Sequence, residues 1–311
     1  MKAVLIGEGD RYDSLLHLLS RHDNVCGWSY KRGVAVPKEL TSITHKQLSE
    51  TPLVFLCVPM GSLRKVARKI GDAMDGRHAV VHSIHSLEAS SLSVASQILI
   101  EELPTRRIGF LTGPMRSKDV ANQRPSSGLL ASRFDEIHGV VEDLLVRDTF
   151  RVYRSRDLRG AEYAASYERV IAMAAGIGYA MKLGESVAAT LFARGTAEIA
   201  RFVENRGLDP RTTFGLSGSA NLFIDASAPG SVDYQIGIAC MSSAKFDAKA
   251  LHKTYGTPFV ELTKLIEALQ KLSREDRQTS HILEACFRIV KSKQSPRDAV
   301  MHLMSLPTLN E

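Results

Sequence analysis

Short apolar runs alternate with amphipathic segments through the first half of the chain. The runs that predict β-strands cover residues 3–6, 25–28, 53–58, 79–81 and 108–111. Leucines recur at helical spacing within residues 12–21, and a second amphipathic segment follows Pro59 and Gly61. Near-continuous apolar runs are typical of strands buried on both faces of a parallel sheet. The alternation of strand and helix therefore predicts an α/β domain.

The pattern changes near Leu158, after which apolar positions keep helical spacing and no strand period is found. Helices are predicted over residues 161–181, 186–205, 258–272 and 277–289. A short last helix follows Ser295, which is placed to cap it, and Pro296 stands at its first position. The chain is therefore predicted to have an α/β domain over residues 1–158 and an all-α domain over residues 159–311.

Composition narrows the class of protein. The 311 residues are 44% hydrophobic and 24% charged, with 40 Lys and Arg against 34 Asp and Glu, so the net charge is +6. This excess suits a small anionic ligand and falls short of a nucleic-acid-binding pattern. The four cysteines have no metal-ligand spacing, which is typical of reduced thiols in a cytoplasmic protein. No leader is recognised, and the longest apolar stretch, residues 170–181, is too short to span a membrane.

A glycine-rich loop between the first predicted strand and helix is the first candidate site. Gly7 and Gly9 stand where a dinucleotide-binding loop needs small residues, but Tyr12 takes the third such position. We expect its ring to push the helix away or to fill the crevice. Glu8 and Asp10 bring negative charge close to the place of a pyrophosphate. A doubly wound fold without a working dinucleotide site is an equally good interpretation.

The residues after the second predicted strand bear on the choice of cofactor. An NAD-binding fold usually offers an acidic side chain to the ribose there. This chain has Tyr30, Lys31 and Arg32 instead, and two cations suit the 2′-phosphate of NADP better than NAD. The candidate cofactor contacts are Gly7, Gly9, Asp10, Tyr30, Lys31 and Pro59.

Several passages in fixed order make the whole chain resemble one family. They are Leu-Thr-Gly-Pro (111–114) with Lys-Asp-Val-Ala (118–121), Gly-Ala-Glu (160–162) leading into Val-Ile-Ala-Met-Ala-Ala-Gly (170–176), Ala-Arg-Gly-Thr-Ala-Glu (193–198), Gly-Leu-Ser-Gly (215–218) and Ser-Pro-Arg-Asp-Ala-Val (295–300). Together they resemble the NAD(P)-dependent glycerol-3-phosphate dehydrogenases. The resemblance implies a Rossmann-like doubly wound parallel sheet, a helical substrate domain and a homodimer. It also implies hydride transfer between nicotinamide and glycerol 3-phosphate or dihydroxyacetone phosphate.

The chain departs from that family where the chemistry would occur. The resemblance places Glu168 at the position of a lysine that acts on the substrate oxygen, and Arg169 at a neighbouring asparagine. His85 replaces a second lysine, expected after the fourth strand. Ketone reduction needs a group that stabilises an alkoxide and delivers a proton. An ionised Glu168 would repel that alkoxide, and only burial strong enough to raise its pKa would let it donate.

The phosphate-binding positions depart as well. The family's aspartate after residues 215–218 is Asn221 here, and its Ser-Arg-Asn triplet reads Ser231, Val232 and Asp233. Val232 removes a donor, and Asp233 is expected to place a like charge near a phosphate dianion. Glycerol 3-phosphate is therefore disfavoured as a substrate.

Three hypotheses follow. The first is a pseudoenzyme of this family, without intact catalytic residues, used for binding, regulation or contact with a protein partner. The second is a diverged oxidoreductase, acting on glycerol 3-phosphate or another small substrate, with His85 or Glu168 as acid or base and Arg169 holding an acidic group. The third is a sensor that binds NADP through Lys31 and Arg32 without turnover.

Two further features have simple alternatives. His82, His85 and Glu88 follow one another at intervals of three, which invites a metal site, but two polar histidines beside the crevice are the better interpretation. Cys57 ends a predicted buried strand, so a core thiol is favoured over a reactive one. No metal, nucleic acid or membrane is expected as a partner.

Overall fold

The computed structural model describes residues 3–20, 22, 25–29 (backbone only), 48–227, 231–242 and 246–305. The chain divides into two compact units. The first comprises Met1–His85 and Ser93–Glu162, and the second comprises Ser86–Leu92 and Tyr163–Glu311. The sequence prediction placed its boundary four residues earlier, after residue 158.

A seven-stranded sheet forms the centre of the first unit. Its strands are β1 (Ala3–Gly7), β2 (Val25–Ser29), β3 (Leu53–Cys57), β4 (Ala79–His82), β5 (Ile108–Thr112), β6 (Ser126–Ser132) and β7 (Phe150–Ser155). The strand order is β2-β1-β3-β4-β5-β6-β7. The first five strands are parallel, as predicted, whereas β6 pairs antiparallel with β5, and β7 pairs parallel with β6. The sequence pattern did not predict β6 or β7.

Helices cover both faces of this sheet, which confirms the doubly wound fold. They are α1 (Asp10–Leu19), α2 (Met60–Gly71), α3 (Ala95–Glu102), α4 (Ser117–Ala121) and α5 (Asp135–Leu145). Alternate residues of each strand enter opposite cores, because successive side chains of a strand point to opposite faces. Val4 and Ile6 of β1 pack with α2 and α3, whereas Ala3 and Leu5 pack with α1 and α5.

The carboxyl ends of the parallel strands meet at one edge of the sheet. β1 ends at Gly7, β3 at Cys57, β4 at His82 and β5 at Thr112. The order changes direction at β1, which has β2 on one side and β3 on the other. Ligands of doubly wound sheets bind outside the carboxyl ends at such a switch point. This edge is therefore the place to look for a site in the first unit.

The second unit is helical, as predicted. Its helices are α6 (Leu158–Ala180, which begins in the first unit), α7 (Glu185–Asn205), α8 (Asn221–Ser227), α9 (Val232–Ala239), α10 (Ala248–Tyr255), α11 (Thr257–Glu275), α12 (His281–Val290) and α13 (Pro296–Ser305). A 3₁₀ turn (Pro210–Phe214) and a π turn (Leu216–Ala220) join α7 to α8.

Small residues let α6 and α9 cross closely. A Cβ on Gly176 would overlap the backbone carbonyl of Tyr234, and one on Gly237 would overlap that of Met173. The alanine-rich stretch of α6 is thus explained by helix packing. Within the described residues, no helix is long and apolar enough to cross a membrane.

Candidate functional site

The glycine loop lies at the carboxyl edge, between β1 and α1. A Cβ on Gly7 would overlap the carbonyl of Cys57, so β1 and β3 could not end this close with a larger residue. The backbone N–H of Glu8 donates to that same carbonyl over 3.0 Å. Gly9 has a φ of 94°, which favours glycine, and a Cβ there would meet no atom within 4 Å. The backbone at Gly9 is therefore open to a ligand phosphate, as a dinucleotide loop requires.

Tyr12 does not fill the crevice, so that expectation is wrong. Its side chain is 5% exposed and packs in the apolar core between α1 and the sheet, together with Leu15, Leu111 and Met115. Burial raises the pKa of its hydroxyl. The aromatic ring is accommodated because the space beneath α1 is lined by apolar side chains, and α1 still packs on the sheet.

The carboxylate of Asp10 is held by the helix α4. It accepts hydrogen bonds from the backbone N–H of Ser117, over 3.2 Å, and from the Ser117 hydroxyl. Asp10 therefore points its charge at the first turn of α4, where backbone N–H groups favour an acid. The electrostatic objection to a phosphate at this loop is weaker than the sequence indicated.

The other candidate cofactor contacts are only partly described. Pro59 is half-buried and immediately precedes α2, and its carbonyl accepts from the N–H of Ser62 over 2.9 Å. Tyr30, Lys31 and Arg32 lie outside the described residues. The predicted preference for NADP depends on those three and stays a prediction.

His85 is held by two neighbours at the carboxyl edge. Its Nδ1 lies 3.4 Å from the Arg11 guanidinium, and its Nε2 lies 3.0 Å from the Thr112 hydroxyl. The ring meets Phe110 edge to face. Because a guanidinium only donates, Nδ1 must accept, and Nε2 carries the proton and donates to Thr112. Both ring nitrogens of His85 therefore have a polar neighbour inside the fold.

Arg11 is a site residue that the sequence analysis missed. Its guanidinium also donates to the carbonyl of Gly113 over 3.2 Å, so it joins α1 to the loops after β4 and β5. It places a positive charge next to His85, which is the residue that stands where the resemblance expects a lysine. The residue after Asp10 gave no signal of this role, because the contact depends on helix α1 and the loops after β4 and β5 meeting at one edge.

His82 belongs to a second buried cluster, which shares Phe110 with His85. Its Nε2 lies 3.2 Å from Glu162, and its ring stacks on Phe110. Glu162 accepts from the backbone N–H of Ser96, over 2.7 Å, and from the Ser96 hydroxyl, over 2.5 Å. Glu162, from the Gly-Ala-Glu passage, thereby caps α3, which is a structural role. Among the described residues, no group of three or more His, Cys, Asp or Glu side chains could hold a metal ion.

Cys57 lies in the core at the end of β3. It is buried, and burial raises the pKa of its thiol to about 12. A thiol with so high a pKa carries almost no thiolate at neutral pH and is unreactive. This geometry supports the core interpretation of Cys57.

Two altered positions in the helical unit contact each other. Arg169 on α6 and Asp233 at the start of α9 form a two-pronged ion pair, with N–O distances of 2.7 and 3.1 Å. Their side chains are 12% and 6% exposed. Burial, the largest single influence, would lower the pKa of Arg169. The charge and hydrogen bonds of Asp233, with the charges of Glu261 and Glu168, together outweigh burial, and the pKa is raised. The negative charge of Asp233 is thus compensated within the protein, contrary to the expectation that it would face a phosphate.

Glu168 stands beside this pair on α6. Its side chain is fully buried, and its charge also favours the ionised form of Arg169. Asn221 is buried at the start of α8 and donates to the carbonyl of Ser217 over 3.2 Å. Val232 is 39% exposed, so one altered position does face solvent. The opposite charges of Arg169 and Asp233 are the sequence signal from which this ion pair could have been predicted.

The doubly wound sheet with its glycine loop, followed by a helical unit, defines the class of Rossmann-fold proteins to which many nicotinamide-dependent oxidoreductases belong. Two sequence profiles name the family. Residues 15–137 match the N-terminal part of the NAD-dependent glycerol-3-phosphate dehydrogenases, and residues 157–301 match their C-terminal part. The chain belongs to this NAD(P)-dependent family.

Individual relatives agree with that assignment. The chain is 30% identical to a glycerol-3-phosphate dehydrogenase [NAD(P)+] of Exiguobacterium, over 91% of this chain and 83% of the relative. It is 34% identical to that of Pseudomonas aeruginosa over 68% of this chain, a match that spans only 62% of the relative. The crystal structure of the Coxiella burnetii enzyme superposes with a TM-score of 0.87 at 21% identity, covering 98% of this chain and 99% of that one, which is a likeness of fold.

Proposed function

We propose that this chain is a glycerol-3-phosphate dehydrogenase homologue that has lost the family's hydride transfer and acts by binding. The observation that carries the proposal is the buried ion pair between Arg169 and Asp233. Both residues stand at positions that the family resemblance assigns to polar, uncharged side chains of the substrate site. Here they bind each other, so the Arg169 guanidinium is engaged by Asp233 instead of holding an acidic group of a substrate.

The position of the substrate lysine supports the same conclusion. Glu168 is fully buried there. An ionised carboxylate at this position opposes the negative charge that develops on the oxygen of a ketone during reduction, whereas a lysine stabilises it. Loss of one such stabilising group typically lowers turnover by about 10²–10³-fold.

The second lysine position is equally unsuited to proton transfer. The proton on Nε2 of His85 is donated to Thr112, and Nδ1 accepts from Arg11. To act as an acid toward a substrate, His85 would have to give up one of these contacts. This arrangement favours the binding protein over the diverged oxidoreductase.

A nicotinamide dinucleotide fits the glycine loop better than the sequence indicated. Gly9 leaves its backbone open, Asp10 is turned to Ser117, and Tyr12 is inside the core. When bound, this cofactor supplies a hydride in the family's reaction. We include its retention, with NADP favoured through Lys31 and Arg32, in the proposed function.

The proposal extends to assembly and location. We propose a homodimer, as the resemblance implies, and a cytoplasmic location, which the buried thiols of Cys57, Cys240 and Cys286 support. Light scattering of the purified chain tests the dimer, since a monomer at micromolar concentration would contradict it.

Paired binding and activity measurements test the function. We expect calorimetry to show binding of NADPH or NADP, and we expect no turnover of glycerol 3-phosphate or dihydroxyacetone phosphate with either nicotinamide. Turnover at rates typical of the family would overturn the loss of catalysis. Absence of binding at millimolar dinucleotide would remove the cofactor from the proposal. Gly9→Val serves as the non-binding reference. It should abolish dinucleotide binding, because φ at this position is positive and a β-branched residue would distort the loop.

A further inference from the structure

A cavity of about 550 Å³ lies within the helical unit, between α6, α7, α12 and α13. All of its lining residues fall within residues 174–304, so the second unit alone forms it. Its volume is in the usual range for small-molecule sites, roughly 300–1,000 Å³. Glu168, Arg169 and Asp233 do not line it, so it belongs to residues that the proposed loss of hydride transfer does not involve.

Aliphatic side chains form most of the wall of this cavity. Each of the four helices contributes some of them, among which are Ile177 (α6), Val187 and Leu191 (α7), Ile289 (α12) and Leu303 (α13). An aliphatic wall favours a ligand with an apolar body, because binding removes the apolar surface of both from water. An apolar cavity that stays unfilled also destabilises a fold, increasingly so with its volume. A hydrocarbon body therefore fits the larger part of this wall.

Polar contacts fix the helices around the cavity to one another. The carboxylate of Glu198 on α7 accepts from two N–H groups at the start of α12, those of Ile282, over 3.2 Å, and Leu283, over 3.1 Å. The Cys286 thiol of α12 donates to the carbonyl of Val170 on α6 over 3.8 Å. Because these contacts set the spacing of α6, α7 and α12, the cavity is formed before a ligand arrives, as small-molecule sites usually are.

The charged side chains of the wall are compensated within the protein. The carboxylate of Glu198 also accepts from the Tyr167 hydroxyl, over 2.7 Å. Burial raises the pKa of Glu198, and the nearby charge of Arg201 acts in the opposite direction. Arg201 is itself exposed, so water solvates its guanidinium, and Arg194 has an interaction partner within the chain. An ionic ligand would therefore lose hydration in this cavity without gaining a counter-charge.

One polar side chain of the wall suits an uncharged ligand. His281 is the first residue of α12 and lines the cavity. A neutral imidazole has one nitrogen that donates and one that accepts, so it can bind a hydroxyl or a carbonyl group. From His281 to Ile289 the wall extends about 12 Å along α12, at 1.5 Å per residue. This length accommodates a hydrocarbon chain of medium length beside a single polar group.

We propose that this cavity binds an uncharged amphiphile, a molecule with an aliphatic body and a single hydroxyl or carbonyl group. The aliphatic body lies along α12 toward Ile289, and the polar group lies at His281. A ligand of this class fits both the aliphatic wall and the compensated charges. The proposal does not depend on the loss of hydride transfer, because different residues form the site.

Calorimetry with 1-octanol, octanoate and octylamine tests the proposal on the full chain. The three compounds share a hydrocarbon chain and differ in charge. We expect octanol to bind at one site per chain, about tenfold or more tighter than either ion, because an ion loses its hydration without a counter-charge. Either ion binding as tightly as octanol, or no binding of octanol at millimolar concentration, would overturn the proposal.

The length of the alcohol gives a second measurement. Each CH₂ group buried against an aliphatic wall strengthens binding about fourfold, so 1-hexanol should bind about 15-fold more weakly than 1-octanol. Equal affinities of the two alcohols would overturn the proposal, because the hydrocarbon chain would then not lie against the wall.

Two pairs of variants locate the apolar body. Gly178 lines the cavity, and a Cβ there would meet no atom within 4 Å, so Gly178→Leu should fill the space and abolish octanol binding. Gly139→Leu on α5 is its control, since Gly139 also has open space but lies in the other unit. Octanol binding unchanged in a folded Gly178→Leu variant would overturn the proposal.

The second pair decides the matter if Gly178→Leu does not fold. Thr190 lines the cavity but is exposed, so Thr190→Trp can occupy the cavity without displacing a core side chain. Thr254→Trp is its control, because Thr254 is also exposed and lies outside the lining. Both hydroxyls donate to the carbonyl four residues earlier, over 2.9 and 3.0 Å, so the two variants lose the same local contact. Octanol binding should be lost in Thr190→Trp alone, and equal binding by the two variants would overturn the proposal.

A third pair locates the polar group. His281→Phe keeps an apolar ring at the cavity but removes the hydrogen bond to the hydroxyl, so octanol should bind about two- to tenfold more weakly. His302→Phe is its control, since His302 is exposed on α13 and does not line the cavity. An unchanged affinity in His281→Phe would overturn the proposed position of the polar group.

Two other occupants would give different results. If a second copy of the chain covered the cavity, Thr190→Trp would change the oligomeric state in light scattering, and octanol would not bind. If residues 306–311 covered it, octanol would bind only after their removal. Either result would overturn the proposal and assign the cavity to that occupant.

Discussion

Replacing Asp233 by asparagine should destabilise the helical unit by about 3–5 kcal/mol. The substitution removes the carboxylate that is directly bonded to the buried Arg169 guanidinium, and breaking a buried pair in this way typically costs that amount. The hydrogen bonds lead to a similar figure, about 3–6 kcal/mol. The pair has two charge-assisted hydrogen bonds, of 2.7 and 3.1 Å, each worth about 1.5–3 kcal/mol. Because the side chains are 12% and 6% exposed, solvent screens them little, although Glu168 and Glu261 still oppose the charge of Arg169 after the substitution.

Thermal and urea unfolding followed by circular dichroism measure this loss. At about 2–4 °C per kcal/mol for a unit of this size, the midpoint should fall by roughly 6–20 °C. Arg169→Asn alone should have a similar cost, because it leaves the carboxylate of Asp233 buried. The double variant, which restores two uncharged side chains, should cost less than the sum of the singles by about 2–3 kcal/mol.

The matched control is an exposed ion pair of the same unit. Lys291 and Glu267 lie 2.7 Å apart, but both side chains are about 40% exposed. Their double-variant cycle should give a coupling of about 0–1 kcal/mol. If Arg169 and Asp233 couple no more strongly than this control, the buried pair is not a stabilising contact, and the main argument for the loss of hydride transfer is wrong.

Three more predictions follow from single contacts. Cys57 and Cys240 should resist alkylation at pH 8 in the native protein, because burial raises the pKa of each thiol to about 12. Gly176→Ala should destabilise the helical unit by several kcal/mol, since a Cβ would overlap the Tyr234 carbonyl. Burial raises the pKa of Glu198, so this acid should reduce stability as pH rises above about 4.3 and through the folded pKa, and Glu198→Gln should remove that dependence.

Each of these has its own check. Mass-spectrometric mapping should find both thiols alkylated only after unfolding in urea, and labelling in the native state would contradict their burial. Gly178→Ala, two residues further along α6 with open space around it, should leave the unfolding midpoint unchanged or raise it. An unfolding curve for Glu198→Gln with the same pH dependence as the parent chain would show that another group is responsible.

Much of the fold followed from local pattern. Parallel strands buried on both faces read as apolar runs, and helices of the second unit keep a helical period, because each depends on burial of neighbouring positions along the chain. The local pattern did not predict the strands β6 and β7. Residues 126–132 contain three serines and a glycine, and β7 exposes five of its six residues in part or whole, so neither shows a buried-strand pattern.

The sequence by itself determined the class of fold, the family and the positions where family residues are replaced, because these depend on the order and periodicity of side chains. Only the tertiary structure decided what the replacements do. Arg169 and Asp233 are 64 residues apart in the chain and yet form one ion pair, and Arg11 reaches His85 across 74 residues. Charges that looked unfavourable one at a time compensate each other once folding brings them into contact. Pairing of this kind depends on distance in space, which the order of residues does not contain.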